Sequence, residues 1–202
     1  MKTVTTVFAA MAALMFAFAT TAQARVIIKE RTTYYNVSGK TGKALFASIS
    51  KRGPKLNARH AIATTTSSIK LRNLKPKITS TRCRVGSVDV IANITYRYPR
   101  WSGERNASPA VRKAWKRFMK KVVQHEEIHG QIAKDQARSL ERAMKRSSGR
   151  ISRGCADFGR SVSRKFNSIV RQADRAHRRL DRRDGRVWSR NARLQRALFK
   201  AR

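Results

Sequence analysis

Between Val111 and Met144 one stripe runs in steps of three and four: Val111, Trp115, Phe118, Val122, His125, His129, Ile132, Gln136, Leu140 and Met144. That spacing predicts a single long helix with one face turned inwards. Ser108-Pro109 stands at its start as a capping residue followed by a proline at the first helical position. Ser147, Ser148 and Gly149 stand at its end. After Gly154 a second stripe follows the same rule, through Cys155, Phe158, Val162, Phe166, Ile169, Ala173, Ala176 and Leu180, and stops at Asp184-Gly185. Two long helices, each with one apolar face, must bury those faces against each other and against a further layer.

The N-terminal half supplies that layer. Arg25 to Val37 is rich in Val, Ile, Thr and Tyr and predicts a strand. Thr41 to Lys51 carries Leu45 and Ile49 at helical spacing behind a Thr41 cap, and Gly53-Pro54 ends it. Ala61 to Leu71 predicts a second strand, broken at Pro76. Arg84 to Tyr98 alternates most clearly, with Val88, Val90, Ala92, Ile94 and Tyr96 on one side, and Pro99 is expected to stop it. Trp101 to Ala107 is expected to be a polar connection. Strands first and helices after predict an α+β domain: a small antiparallel sheet with a short helix, then a long helix packed against a second long helix.

The first 24 of the 202 residues are expected to be a signal peptide. Lys2 precedes the 13 apolar residues Val7–Ala19, and Ala22-Gln23-Ala24 offers a small-x-small cleavage site. The apolar run is too short to span a bilayer comfortably. The expectation is one soluble domain over residues 25–185 and a basic tail over 186–202, with Leu194, Leu198 and Phe199 available for a third helix. An exported chain with two cysteines, Cys83 and Cys155, is expected to join them in a structural disulfide. Charge is extreme, 47 Lys+Arg against 11 Asp+Glu, net +36. It predicts attraction to polyanions, which outside the cytoplasm means anionic lipid or acidic envelope polymer. Export and the lack of a recognition motif exclude a specific nucleic-acid partner.

Chemistry concentrates in His125-Glu126-Glu127-Ile128-His129. Two histidines four residues apart on a helix differ by about 40° in direction, so both imidazoles can meet one metal ion. The glutamate after the first histidine lies beside that ion, where it can hold a water and take its proton. This is the HExxH arrangement of zinc peptidases. It assigns Zn2+ to His125 and His129, and the general base to Glu126. A catalytic site of this kind needs a third protein ligand. Asp174, His177 and Asp181 on the second helix are candidates, with His60 and Asp135 behind them.

Further pieces carry a resemblance: Tyr34-Tyr35-Asn36-Val37-Ser38-Gly39, Leu45 with Gly53-Pro54, Cys83-Arg84-Val85, Thr95-Tyr96-Arg97-Tyr98-Pro99-Arg100-Trp101, Trp115, the HExxH segment and Cys155. In their order and spacing the chain resembles a bacterial domain-of-unknown-function family described as predicted secreted zinc-dependent proteases. The resemblance runs from Tyr34 to about Gly185. It implies zinc at His125 and His129, Glu126 as base, and the Cys83–Cys155 pair. The family tends to show a Tyr-Asp pair and then a His-Gly near the end of this span. Here Leu180-Asp181-Arg182-Arg183-Asp184-Gly185 stands instead, which implies weakened metal binding or binding through Asp181.

Two functions follow as expectations. The first is a periplasmic or secreted zinc metallopeptidase acting on peptide or protein substrates. The alternative is a basic envelope protein that binds anionic lipid or polymer, its metal site structural or decayed. Glu126 discriminates, because a structural zinc site has no use for a general base.

Overall fold

The computed structural model describes residues 23–56, 59–151, 155–186 and 190–202. Most of the expected signal peptide, Gly154 and the tail residues Val187 and Trp188 lie outside the described residues. The order of elements is β1 (Gln23–Ser38), α1 (Gly42–Arg52), β2 (Lys55–Leu56), β3 (Arg59–His60), β4 (Thr64–Ile78), β5 (Arg82–Ser102), a 3-10 turn (Glu104–Asn106), α2 (Pro109–Lys145), β6 (Ser148–Arg150), α3 (Ala156–Asp184) and α4 (Arg190–Lys200). The domain is α+β, as the order of sequence patterns implies.

The sheet is mixed rather than wholly antiparallel, and this corrects the sequence expectation. Its order is β1-β5-β4. β5 pairs with β4 antiparallel and with β1 in parallel, and β6 adds a short antiparallel pairing at Arg82–Arg84. β5 is therefore the central strand. Its residues Val88, Val90, Ala92, Ile94 and Tyr96 are all buried. The alternating face read from the sequence is the face covered by the helices.

Both prolines expected to break strands lie inside them. Pro76 falls on the edge strand β4 beside register irregularities between Arg72 and Pro76. An edge strand at a bulge tolerates a residue without an N–H. Asn73, at φ 52, turns the chain there and donates to Asp89 Oδ2 at 2.6 Å. Pro99 pairs only with Tyr35 of β1, because the β4 pairing has already ended at Arg97. At that register nothing on the β4 side asks for the missing N–H.

Helix α2 begins as expected. The Ser108 hydroxyl caps it, accepting from the Val111 N–H, and Pro109 opens the first turn. Its contact with the sheet uses a line that the stripe omitted: Glu126, Gly130, Ala133 and Ala137, all buried. Small residues let the helix lie close to β5. A Cβ at Gly130 would stand 1.9 Å from the Tyr96 hydroxyl oxygen, so only hydrogen fits there. That hydroxyl donates to Glu30 Oε1 at 2.8 Å, and Lys134 pairs with the same oxygen at 2.9 Å. The histidine side of α2 is left for α3.

α3 follows its predicted stripe and is capped by Gly185. Its start is tied down by the disulfide Cys83–Cys155, with Cα atoms 5.8 Å apart. The tail helix α4 packs into a second apolar centre. There Leu198 joins Val37, Leu45, Ile49, Trp101, Val111, Trp115 and Phe118. Among the described residues no helix is long and apolar enough to cross a membrane.

Candidate metal centre

The long helix fixes the first two groups. On α2, His125 and His129 present Nε2 atoms 3.2 Å apart. α3 crosses this line and delivers Asp181, whose Oδ1 lies 2.9 Å from His129 Nε2 and 3.4 Å from His125 Nε2. These three residues form a group able to hold a metal ion. Bonds of about 2.0–2.1 Å to a tetrahedral zinc would set ligand atoms roughly 3.3–3.4 Å apart. Two of the three separations already match that edge, and the third must open by less than about 0.5 Å. Two imidazole nitrogens and one carboxylate oxygen suit zinc or a related divalent ion. The donor set and its spacing thus fit a metal.

A second ring of partners orients the ligands. His125 Nδ1 lies 2.8 Å from Asp184 Oδ2 and donates to that carboxylate, which leaves a lone pair on Nε2. His129 Nδ1 lies 2.7 Å from His177 Nδ1. Asp184 stands at the end of α3, immediately before Gly185. Here it holds a ligand's far side rather than joining the group itself. On its own, burial would raise the Asp184 carboxyl. Hydrogen bonds from Arg183 and His125, with the Arg183 charge, outweigh it and hold the group below its ordinary value. Burial lowers His129 and His177, which favours the neutral imidazole that binds metal.

Glu126 sits beside the cluster and is buried at 7% exposure, whereas Glu127 is exposed on the far side of the helix. The Thr65 hydroxyl of β4 donates to Glu126 Oε2 at 2.7 Å and also lies 3.0 Å from the Glu126 carbonyl oxygen. Burial pushes the Glu126 carboxyl above its ordinary value, with the Thr65 hydrogen bond and His125 pulling it partly back. Two clefts open on this carboxylate. One, of about 260 Å³, is lined by His125, Glu126, Asp181 and Asp184 together with residues of α4. The other, of about 470 Å³, lies between β4 and the His129–His177 pair. The Asp181 side chain is 58% exposed, so the cluster communicates with solvent.

The structure separates the remaining candidates. His60 Nδ1 lies 2.6 Å from the Gly53 carbonyl oxygen, away from the cluster. Asp135 is bound to Gln131 and Arg138 on the exposed side of α2. Asp174 is exposed, one turn before His177 on α3, and outside the group. His177 contacts a ligand without being part of the group. Asp184 and Thr65 were not singled out from the sequence. Asp184 carried a signal, since it lies three residues after Asp181, on the same helix face. Thr65 carried none, because only the sheet brings it to Glu126.

Fold and site together define a mixed α+β domain whose two long helices hold a His–His–Asp cluster beside a buried glutamate. The chain belongs to the bacterial family of unknown function DUF922, whose profile matches residues 32–187. No curated protein and no solved structure matches it.

Proposed function

We propose that the protein is a zinc-dependent peptidase that works outside the cytoplasm, with His125, His129 and Asp181 as metal ligands and Glu126 as general base. The observation that carries this reading is the convergence of three ligand atoms within 4.8 Å of one another, next to a buried carboxylate and an open cleft. When bound, zinc supplies Lewis acidity, acidifying a water and polarising a carbonyl. Glu126 accepts the proton of the attacking water and passes it to the leaving amine as the C–N bond breaks. Its raised pKa suits both halves of that transfer. Thr65 fixes the carboxylate's orientation, and Asp184 fixes the His125 tautomer. The disulfide is in keeping with an oxidising compartment.

The test is Glu126→Gln. The amide keeps the shape but accepts no proton. Hydrolysis of a mixed peptide library should fall by on the order of 10²- to 10⁴-fold with zinc content unchanged. Glu127→Gln, on the exposed side, should leave the rate largely intact. Equal rates for wild type and Glu126→Gln would refute the mechanism.

A second reading rests on the exposed arginines of α3, among them Arg171, Arg175, Arg178 and Arg182. They recur in steps of three and four along one side of the helix and suit an anionic lipid or polymer surface. Zinc bound in every variant with no hydrolysis in any would favour it.

A further inference from the structure

Helix α4 lies beyond the family match, which ends at residue 187. It nevertheless forms a wall of the cleft beside the cluster. Leu198 is fully buried in the second apolar centre. The helix end is clamped as well. The Gly42 N–H donates to the Ala201 carbonyl oxygen at 3.0 Å, and the Ser108 hydroxyl donates to a backbone oxygen of Arg202 at 2.6 Å. A Cβ at Gly42 would stand 1.7 Å from the Leu198 carbonyl oxygen, so α1 and α4 are in direct backbone contact. This makes α4 a fixed wall.

One turn apart on α4, Asn191 and Gln195 reach the cleft of about 260 Å³ that also holds His125, Glu126, Asp181 and Asp184. The rest of that cleft is largely apolar, through Ile62, Ala63, Phe118 and Val122, and its one further charged residue, Lys121, donates to Gln124. Its apolar wall offers a large apolar side chain a seat beside the cluster. The two amides are separated by four residues, about 6 Å along the helix axis. Peptide groups on the same side of an extended chain repeat every two residues, about 6.5–7 Å. Each amide carries both a donor and an acceptor, as a peptide group does.

We propose that this cleft is a side-chain subsite for one large apolar residue of a peptide, and that Asn191 and Gln195 are substrate-binding residues that hydrogen-bond the backbone carrying it. The proposal rests on the peptidase reading for its substrate class. It adds that the C-terminal helix, outside the family's matched span, seats the substrate backbone beside the cluster. Neither residue is buried, so their replacement leaves the fold in place.

The experiment compares the zinc-loaded wild-type protein with the Asn191→Ala/Gln195→Ala double variant. Both are assayed on a peptide library read by mass spectrometry. Both are also titrated with a Leu-Phe dipeptide hydroxamate and with acetohydroxamate. Wild type should cut with a large apolar residue on one fixed side of the scissile bond. It should bind the dipeptide hydroxamate at least about tenfold more tightly than acetohydroxamate, as two added hydrogen bonds imply. The double variant should keep its zinc and its kcat within about twofold, raise KM about tenfold and lose most of the hydroxamate discrimination. Unchanged KM and unchanged discrimination in the double variant would overturn the role of the two amides, and a wild type that cuts with no preference for a large apolar residue would overturn the subsite, even with peptidase activity intact. A wild type that cuts nothing, yet discriminates between the hydroxamates through Asn191 and Gln195, would overturn the peptidase reading and leave the subsite standing.

Discussion

The two ends of the α2–α3 pair are built from opposite materials. At the end where α2 stops and α3 starts, Cys83, Val85, Val88, Met144, Phe158 and Val162 are buried together, and a disulfide crosses from β5 to α3. At the other end the same helices meet through His125, His129, His177, Asp181 and Asp184, and the clefts open there. The first end is dry and covalently fixed. The second is polar and reaches solvent. Ionisable groups contribute little net stability once their desolvation is counted, so the cluster cannot be what holds the helices in phase. The closed end and the small-residue line of α2 do that, and the cluster inherits its geometry from them.

If so, damage to the closed end should cost stability and spare the metal site. The Cys83–Cys155 bond spans 72 residues, and removing it should cost about 4 kcal/mol on the loop-entropy estimate. Denaturant unfolding of Cys155→Ser should show that loss, while zinc per folded chain stays at the wild-type level. Loss of zinc from protein that is still folded would show the two ends to be less separable than the packing implies.

Gly130 lies between the ends, and its replacement should affect both. The Cβ of Gly130→Ala would collide with the Tyr96 hydroxyl, so α2 must shift or the Tyr96–Glu30 bond must break. Overpacking of this kind costs roughly 1–3 kcal/mol, against a helix-propensity gain of about 1 kcal/mol. A lower melting temperature together with weaker zinc binding is expected, and adding Tyr96→Phe should recover part of both. An unchanged melting temperature would mean that α2 is not seated on β5 through this residue.

The smallest effect belongs to a charge pair at the closed end. Hydrogen bonds from Arg25 and Asn73 hold the Asp89 carboxyl below its ordinary value. A depressed carboxylate adds stability above its unfolded pKa of about 3.9, and that contribution disappears as pH falls through the folded value. Urea unfolding followed from pH 6 downward should therefore show stability falling in acid, and Asp89→Asn should flatten that fall. Parallel curves for the two proteins would remove Asp89 from the account.

Much of this organisation was legible in the sequence, because helices announce themselves locally. The Ser108-Pro109 start, the Thr41 cap and the steps of three and four needed no tertiary information. The HExxH pair was legible for the same reason, since both histidines sit on one helix. The third member of the cluster was not. Choosing Asp181 over His177 or Asp174 requires the rotation of α3 relative to α2, which only packing sets. Pro76 and Pro99 misled because a proline's tolerance depends on which neighbours a strand has at that register. The parallel β1–β5 pairing was hidden because strands distant in sequence chose each other. Glu126 read as catalytic from its place after His125, but its burial and its Thr65 partner came from the sheet.

The central claim is that His125, His129 and Asp181 hold one metal ion. Its most direct test is metal analysis of the purified protein after dialysis against zinc, alongside the His125→Ala/His129→Ala, Asp181→Asn and Asp184→Asn variants. The account predicts about one zinc per wild-type chain, as a mononuclear site requires, and none in the double-histidine variant. It predicts severe loss in Asp181→Asn, and affinity weakened about 10- to 100-fold in Asp184→Asn, which removes the carboxylate behind His125. A wild-type protein that takes up no zinc, or an Asp181→Asn variant that binds it as tightly as wild type, would contradict it.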